Sequence, residues 1–269
     1  MATPEAPLRE ILKSLSFTQF PLCHIDPFYT PPAITRPQLF VYPSSGIASD
    51  VECLRILALL KFTNYEFDLR HTSEPNSSPN AQLPYLLLPD GTAIDNQHIE
   101  DHLSLGDSSL AYYSLAKHGL VPAAEYLAWV DPVGFSGIGN RHLGRYSTVV
   151  RWALGWITSE RVARKLQAGM PEYGAALDGD VVYENAVRAL GSLLVFLGER
   201  KFLDGEAPGR LDALVFACLN AFLDAPVKSP VRTLLTLKDS KYRPLVDYVL
   251  RIVDMYFDET ADSIEPRVA

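Results

Sequence analysis

The spacing of apolar and polar residues divides the chain into a short part with strand-like alternation and a long part with helical periodicity. Gln38 to Tyr42 alternates as a strand and ends in a turn at Pro43 to Gly46. Ser49-Asp50-Val51-Glu52 has the form of a capping box, with Ser49 accepting from the N–H three residues on and Glu52 reaching back. The helix it opens, Asp50 to Phe62, is apolar at Val51, Cys53, Leu54, Ile56, Leu57, Ala58 and Leu60, a face wide enough to pack on a sheet. Tyr65 to Leu69 alternates as a second strand, and the polar stretch from His71 to Asn80, with its two prolines, reads as an exposed loop. Pro84 has no N–H and disfavours the helical region for Leu83, which suits the head of a strand whose edge is left free. Tyr85 to Leu88 continues that strand, Asp90-Gly91 is a hairpin signal, and a further strand and helix run to about Leu105. This order predicts a four-stranded mixed sheet whose first two strands are parallel.

From Leu110 onward the apolar period is that of a helix throughout. Helices are predicted over Leu110–Lys117, Pro122–Val130, Tyr146–Ile157, Glu160–Ala168, Val181–Gly198, Leu211–Leu223, Pro230–Leu237 and Arg243–Phe257. Pro122, Pro230 and Pro244 read as first-turn prolines with no N–H to lose, and Gly134 to Gly144 as a flexible connection. The fold class is therefore α/β plus all-α: an α/β domain at 37–105, a linker near Gly106 to Ser109, an all-helical domain at 110–258 and a polar tail at 259–269. Residues 1–36 combine Pro21, Pro27, Pro31 and Pro32 with Phe17, Phe20, Phe28 and Tyr29. Prolines hold such a segment extended while its aromatics seek cover, on this chain or on a partner.

Composition narrows the function classes. A formal charge of −8 over 269 residues argues against a general nucleic-acid binder. Cys23, Cys53 and Cys218 are far apart, without CxxC or zinc spacing, and point to buried thiols in a reducing compartment. The chain holds no run of about eighteen apolar residues, so no spanning helix is expected, and its first residues lack the charged-then-apolar pattern of a secretory leader. His98 and His102 lie four apart but do not form HExxH and lack a third ligand, so no metal and no cofactor are expected. Gly-Ile-Gly within Gly134 to Gly144 follows no strand and is not read as a phosphate loop.

A strand headed by Pro84, a hairpin and a helix in this order resemble the second half of a thioredoxin-like domain, where the proline is usually cis and faces the ligand. With an all-helical domain behind it, the whole is similar to the glutathione-transferase fold. Three stretches resemble the metaxin family more closely: DVECLRILALLKF at Asp50–Phe62, LDALVF at Leu211–Phe216, and KYRPLVDYVLRIVDMYF with Tyr242, Leu245, Tyr248, Arg251, Ile252, Tyr256 and Phe257. Asp212 stands where transferase-fold proteins carry an aspartate that caps its own helix from the third position, with Gly209 in the cap place. The resemblance covers about residues 37–258. It implies a non-enzymatic subunit of the mitochondrial outer-membrane sorting and assembly machinery, which inserts β-barrel proteins. The polar end of the sequence resembles the peripheral receptor subunit on the cytosolic face in fungi. The implied partners are the β-barrel membrane subunit, a second metaxin-like subunit, β-barrel precursors recognised through their β-signal, and the membrane surface.

Two sets of residues are the candidate sites. Glutathione chemistry needs a group that activates the thiol, a backbone pair beside the proline and a side-chain pair for the γ-glutamyl end. Leu83 and Pro84 can supply the backbone pair, and Tyr42, Ser44 and Ser45 are candidate activators. Asp95-Asn96 stands where transferases usually carry an acid or amide followed by serine, so the pocket is expected to be vestigial. The second set is basic: Arg141, Arg145, Arg151, Arg161, Arg164 and Lys165 against the single acid Glu160, with Trp152 and Trp156 four apart among them. Two readings stand, a core tryptophan pair with a solvated basic face, or an aromatic, basic surface that meets anionic lipid or an acidic partner. A β-signal could use this surface or a groove around Tyr42, Pro84 and Asp95.

Overall fold

The computed structural model describes residues 34–43, 50–72, 74–103, 109–139, 143, 147–169, 177–226 and 228–257. Its first part is β1 (Gln38–Val41), α1 (Val51–Phe62), β2 (Asp68–His71), β3 (Tyr85–Leu87), β4 (Ala93–Asp95) and the one-turn α2 (Ile99–His102). The sheet order is β2-β1-β3-β4, with β1 parallel to β2 and the other pairs antiparallel, as the element order predicts. Leu39 and Val41 alternate into the core from β1, and the Phe40 ring stacks at 4.6 Å on Tyr85, its register partner in β3. Cross-strand aromatic contacts of this kind hold the register of so short a sheet.

Local chemistry moves three boundaries. The cap of α1 is Asp50, one residue later than the predicted box, whose Ser49 lies outside the described residues: the Asp50 carboxylate accepts from the Cys53 N–H at 2.9 Å, and Glu52 accepts from Arg55. The second strand begins at Asp68 because the chain first has to leave α1. Thr63, Asn64 and Tyr65 donate their N–H groups to Leu59, Lys61 and Leu60, with Asn64 in the left-handed region that asparagine tolerates. Finally β3 is an interior strand, paired on both sides, so the edges lie at β2 and β4. Pro84 precedes the ladder, where its missing N–H costs no inter-strand bond, and the Leu83–Pro84 peptide is cis.

The helical part comprises α3 (Leu110–Trp129), the single turn α4 (Pro132–Gly134), a π-turn at Phe135–Gly139, α5 (Thr148–Gly169), α6 (Gly179–Leu197), α7 (Arg210–Asp224), α8 (Pro230–Thr236) and α9 (Arg243–Tyr256). Helix α7 is the centre of the molecule: Leu211 to Leu219, Ala221 and Phe222 are all buried, and α1, α3, α8 and α9 pack around it. A helix apolar on every side has to be enclosed, and each fully buried Leu or Phe contributes about 1.5–3 kcal/mol. Helix α9 shows the complementary pattern, burying Leu245, Tyr248, Val249 and Ile252 on one face and exposing the other.

Two predicted breaks are absent. Helix α3 runs through Pro122 because Ala116, Leu120, Ala123, Ala124 and Leu127 form one buried face across it. The carbonyl that the proline leaves without a donor belongs to His118, an exposed residue whose carbonyl water can serve. Helix α5 joins the two segments predicted at Tyr146–Ile157 and Glu160–Ala168, since Thr158 and Ser159 include neither glycine nor proline and do not stop it. Of the connection expected at Gly134 to Gly144, the part from Gly134 to Gly139 is a packed turn, with Gly134, Ile138 and Gly139 buried, and residues 140–142 and 144 lie outside the described residues. A Cβ at Gly139 would meet the Ala128 carbonyl at 2.7 Å, so glycine is what lets this turn lie against α3.

Candidate functional site

A cleft of about 90 Å³ opens where the start of α1 faces α3, lined by Asp50, Glu52, Glu125, Trp129 and the apolar Val51 and Ile138. That volume is small against the about 300–1,000 Å³ of typical ligand pockets. Its rim is acidic, and the N-terminus of α1, which would otherwise attract an anion, is already covered by the Asp50 carboxylate. The glutathione-type positions are committed internally. Asp95 accepts from the N–H groups of Gln97 and His98 and pairs with the His98 ring at 2.7 Å. Desolvation is the largest single influence and raises its pKa, but the His98 contact and these N–H bonds together outweigh it and leave the carboxyl below its ordinary value. Asn96, buried, accepts from Asn80 Nδ2 at 2.8 Å and so holds the loop beside Pro84. Leu83 is buried, Tyr42 is half-buried, and Ser44 and Ser45 lie outside the described residues. His102 contacts the Tyr65 hydroxyl at 3.3 Å, and among the described residues no group of three or more acids, histidines and cysteines is placed to hold a metal.

Beneath the cleft a charged network joins the sheet layer to the helices. Arg55 lies on the buried face of α1 and holds Glu52 through Nε at 2.9 Å, while its other end reaches Glu100 of α2. Glu100 also pairs with Arg210 at the start of α7, and Arg210 sits over the Tyr113 ring of α3. Burial would lower the Arg55 pKa, but the bond and charge of Glu52 reverse this and hold it raised. The sequence signal for this network is an arginine within an otherwise apolar helical face, and no local spacing names its partners.

Asp212 is a second hub, wholly buried. Its carboxylate accepts from the N–H groups of Leu203 at 2.7 Å, Asp204 at 3.0 Å and Gly209 at 3.1 Å, and from the Tyr248 hydroxyl at 2.7 Å. Gly209 has no side chain to cap with, and Asp204 replaces it by accepting from the Leu211 N–H at 2.9 Å. A Cβ on Gly209 would stand 2.4 Å from that Asp204 oxygen, so the glycine makes room for the substitute cap. The role read for Asp212 in the sequence is thus present, and its oxygens also order the 203–209 loop and bind α9.

The basic segment is divided. Arg141 and Arg145 lie outside the described residues, and Arg151 is half-buried. Arg161 is exposed, Arg164 pairs with Glu160 at 3.3 Å, and Lys165 reaches Glu125 on α3 at 2.6 Å. Trp152 and Trp156 are 65% and 43% exposed, so they are not the core pair of the first reading. Among the cysteines, Cys53 and Cys218 are buried free thiols whose pKa burial pushes up, and Cys23 is outside the described residues. Thiols so placed are inert.

Comparison with known proteins meets this geometry from two sides. The family described as outer mitochondrial membrane transport complex protein matches residues 53–163, and the glutathione S-transferase C-terminal domain matches residues 184–252, which hold Asp212 and Tyr248. Metaxin-1 of Mus musculus is 26% identical over 236 residues, spanning 80% of this chain and 73% of that protein. The mitochondrial outer membrane import complex protein METAXIN of Arabidopsis thaliana is 23% identical, spanning 80% and 70%. Metaxin-2 of Mus musculus is 27% identical over 55% of each chain. Among solved structures, a β-etherase from Sphingobium sp. superposes with a TM-score of 0.52 at 14% identity over 83% of this chain and 99% of that one. Glutathione S-transferase III gives 0.50 at 15% over 85% and 97%. The structural likenesses carry the fold and the sequence relatives the resemblance: this chain has a glutathione-transferase-like fold, and in sequence it is similar to the metaxins.

Proposed function

We propose that this chain is a non-enzymatic subunit of the mitochondrial outer-membrane machinery that sorts and assembles β-barrel proteins, acting as a peripheral binding scaffold on the cytosolic face. Its partners in this reading are the β-barrel membrane subunit, a second metaxin-like subunit and incoming β-barrel precursors. The names of its relatives support the import setting. The observation that carries the non-enzymatic part is the commitment of Asp95 and Asn96: one carboxylate bonded to the His98 ring and local N–H groups, one amide spent on Asn80. A γ-glutamyl group would have to break these contacts, and glutathione, an anion, would meet Asp50, Glu52 and Glu125. Among the described residues, a precursor strand that adds to the sheet has β2 and β4 as the edges to pair with, since β3 is enclosed, and exposed Leu69 on β2 gives one apolar contact there.

The test is a pull-down with the tagged chain from detergent-solubilised mitochondria, beside retention on glutathione resin and a conjugation assay. Recovery of an outer-membrane β-barrel protein without glutathione retention is expected. Retention with turnover and no barrel partner would overturn the reading in favour of a glutathione transferase.

A further inference from the structure

We infer that the outward face of α5 docks on an anionic phospholipid surface, with Trp152 and Trp156 entering the headgroup layer and Arg161 and Arg164 meeting lipid phosphates. Val149, Trp152 and Trp156 are spaced three and four apart, so they form one stripe, and they are 77%, 65% and 43% exposed. The adjoining side of the helix carries buried Gly155 and Leu166 and packs on the protein: a Cβ at Gly155 would meet the Phe135 ring at 2.5 Å. Lys165 pins the far end to Glu125. The stripe is thereby held outward on a helix that cannot roll to cover it.

Indole has an apolar body and a polar N–H, the combination that places tryptophan at membrane–water boundaries. Charge selects which surface. Helix α5 carries Arg151, Arg161, Arg164 and Lys165 against Glu160 alone, a net excess of three positive charges on a chain of net −8. Arg164 lies about two turns beyond Trp156 and Arg161 stands exposed beside it, as on helices that lie in the interface plane. Glu160 falls on the stripe and is paired with Arg164. Size favours a bilayer over an acidic protein. The aromatic stripe is roughly 10 Å long on one convex helix. Three apolar side chains on one helix fall far short of the about 20–30 residues per side of a stable protein interface, whereas a lipid surface needs no matching shape.

The inference deepens the peripheral membrane contact proposed above, and its test is independent of it. The full chain, with Trp129→Phe so that only α5 reports, is floated with phosphatidylcholine vesicles and with vesicles also containing phosphatidylserine. Flotation and a blue shift of tryptophan emission are expected only with phosphatidylserine. W152A/W156A should weaken binding by roughly tenfold or more, and R161E/R164E should lose the anionic preference, since each basic group near the surface counts for about fivefold in affinity. No flotation on either vesicle, or undiminished binding by W152A/W156A, overturns the inference, as does capture of α5 solely by a protein partner. Recovery of the barrel protein in detergent, where no bilayer remains, reports on the assembly reading alone.

Discussion

The Tyr248 hydroxyl donates to Asp212 Oδ1 at 2.7 Å, and this one bond makes the start of α7 and the middle of α9 a single unit. Both groups are buried, so neither has water to fall back on. Tyr248→Phe should cost about 1.5–3 kcal/mol, the range for a hydrogen bond to a charged group. Asp212→Ala should cost more, because three loop N–H groups lose their acceptor together. Urea unfolding of both single variants and the double checks this: the double should be less destabilised than the sum, and strict additivity would separate the two residues.

The same aspartate sets a pH dependence of unusual sign. Burial raises its pKa, and the bonds from Tyr248, Asp204, Leu203 and Gly209 only partly oppose that. Below the ordinary carboxylate value the folded and unfolded states both hold the proton. Between that value and the raised folded one, only the folded state does, so stability falls as pH rises across the window and stays lowered above it. Asp212→Asn cannot titrate. Subtracting its unfolding free energy from that of the parent, across the acid range, should leave a contribution that declines with rising pH; a contribution that grows with pH would refute the assignment.

Arg55 is held between Glu52 and Glu100, and Arg210 holds Glu100 from the other side. Arg55→Ala leaves Glu100 buried with half its compensation, for an expected loss of about 3–5 kcal/mol. Removing Glu100 as well should recover part of that loss, because an unpaired buried charge is the costly species. A double-mutant cycle by thermal or urea unfolding reads the coupling, and a value near zero would show that the sheet and helical layers do not depend on this pair.

How far the molecule could be read from its sequence follows from the range of the interactions involved. Leu83-Pro84, Asp90-Gly91 and the pairing of Gly209 with Asp212 obey rules that act within a few residues, and all three are where the sequence placed them. The second strand slipped because Asn64 adopts a left-handed conformation, an option that alternation does not register. Periodicity gave the spacing of Trp152 and Trp156 but not which side of α5 the protein covers, and that depends on Phe135 behind Gly155. The Arg55 network joins residues far apart in the chain and has no local signature. Of the basic segment, Arg164 and Lys165 are placed with their partners and Arg161 is exposed, while Arg141 and Arg145 fall outside the described residues.

Two glycines should respond to alanine in opposite directions. Gly134 closes the turn after α3, and a Cβ there would lie 1.9 Å from the Leu127 carbonyl oxygen, a backbone atom that cannot rotate aside. The helix end would have to move, disturbing buried Leu127 and the Asp131 carboxylate, which caps α4 and accepts from Tyr183 at 2.5 Å. Gly134→Ala should therefore cost at least the about 1–3 kcal/mol of an overpacked site. Gly191 lies within α6, where an added Cβ meets nothing nearer than the Tyr242 hydroxyl at 4.0 Å. Alanine there removes backbone freedom from the unfolded chain without a clash and should stabilise by about 0.5–1 kcal/mol. Thermal unfolding of the two variants side by side decides it: a rise for Gly191→Ala with a fall for Gly134→Ala confirms the packing of the turn on α3, and an unchanged melting temperature for Gly134→Ala would refute it.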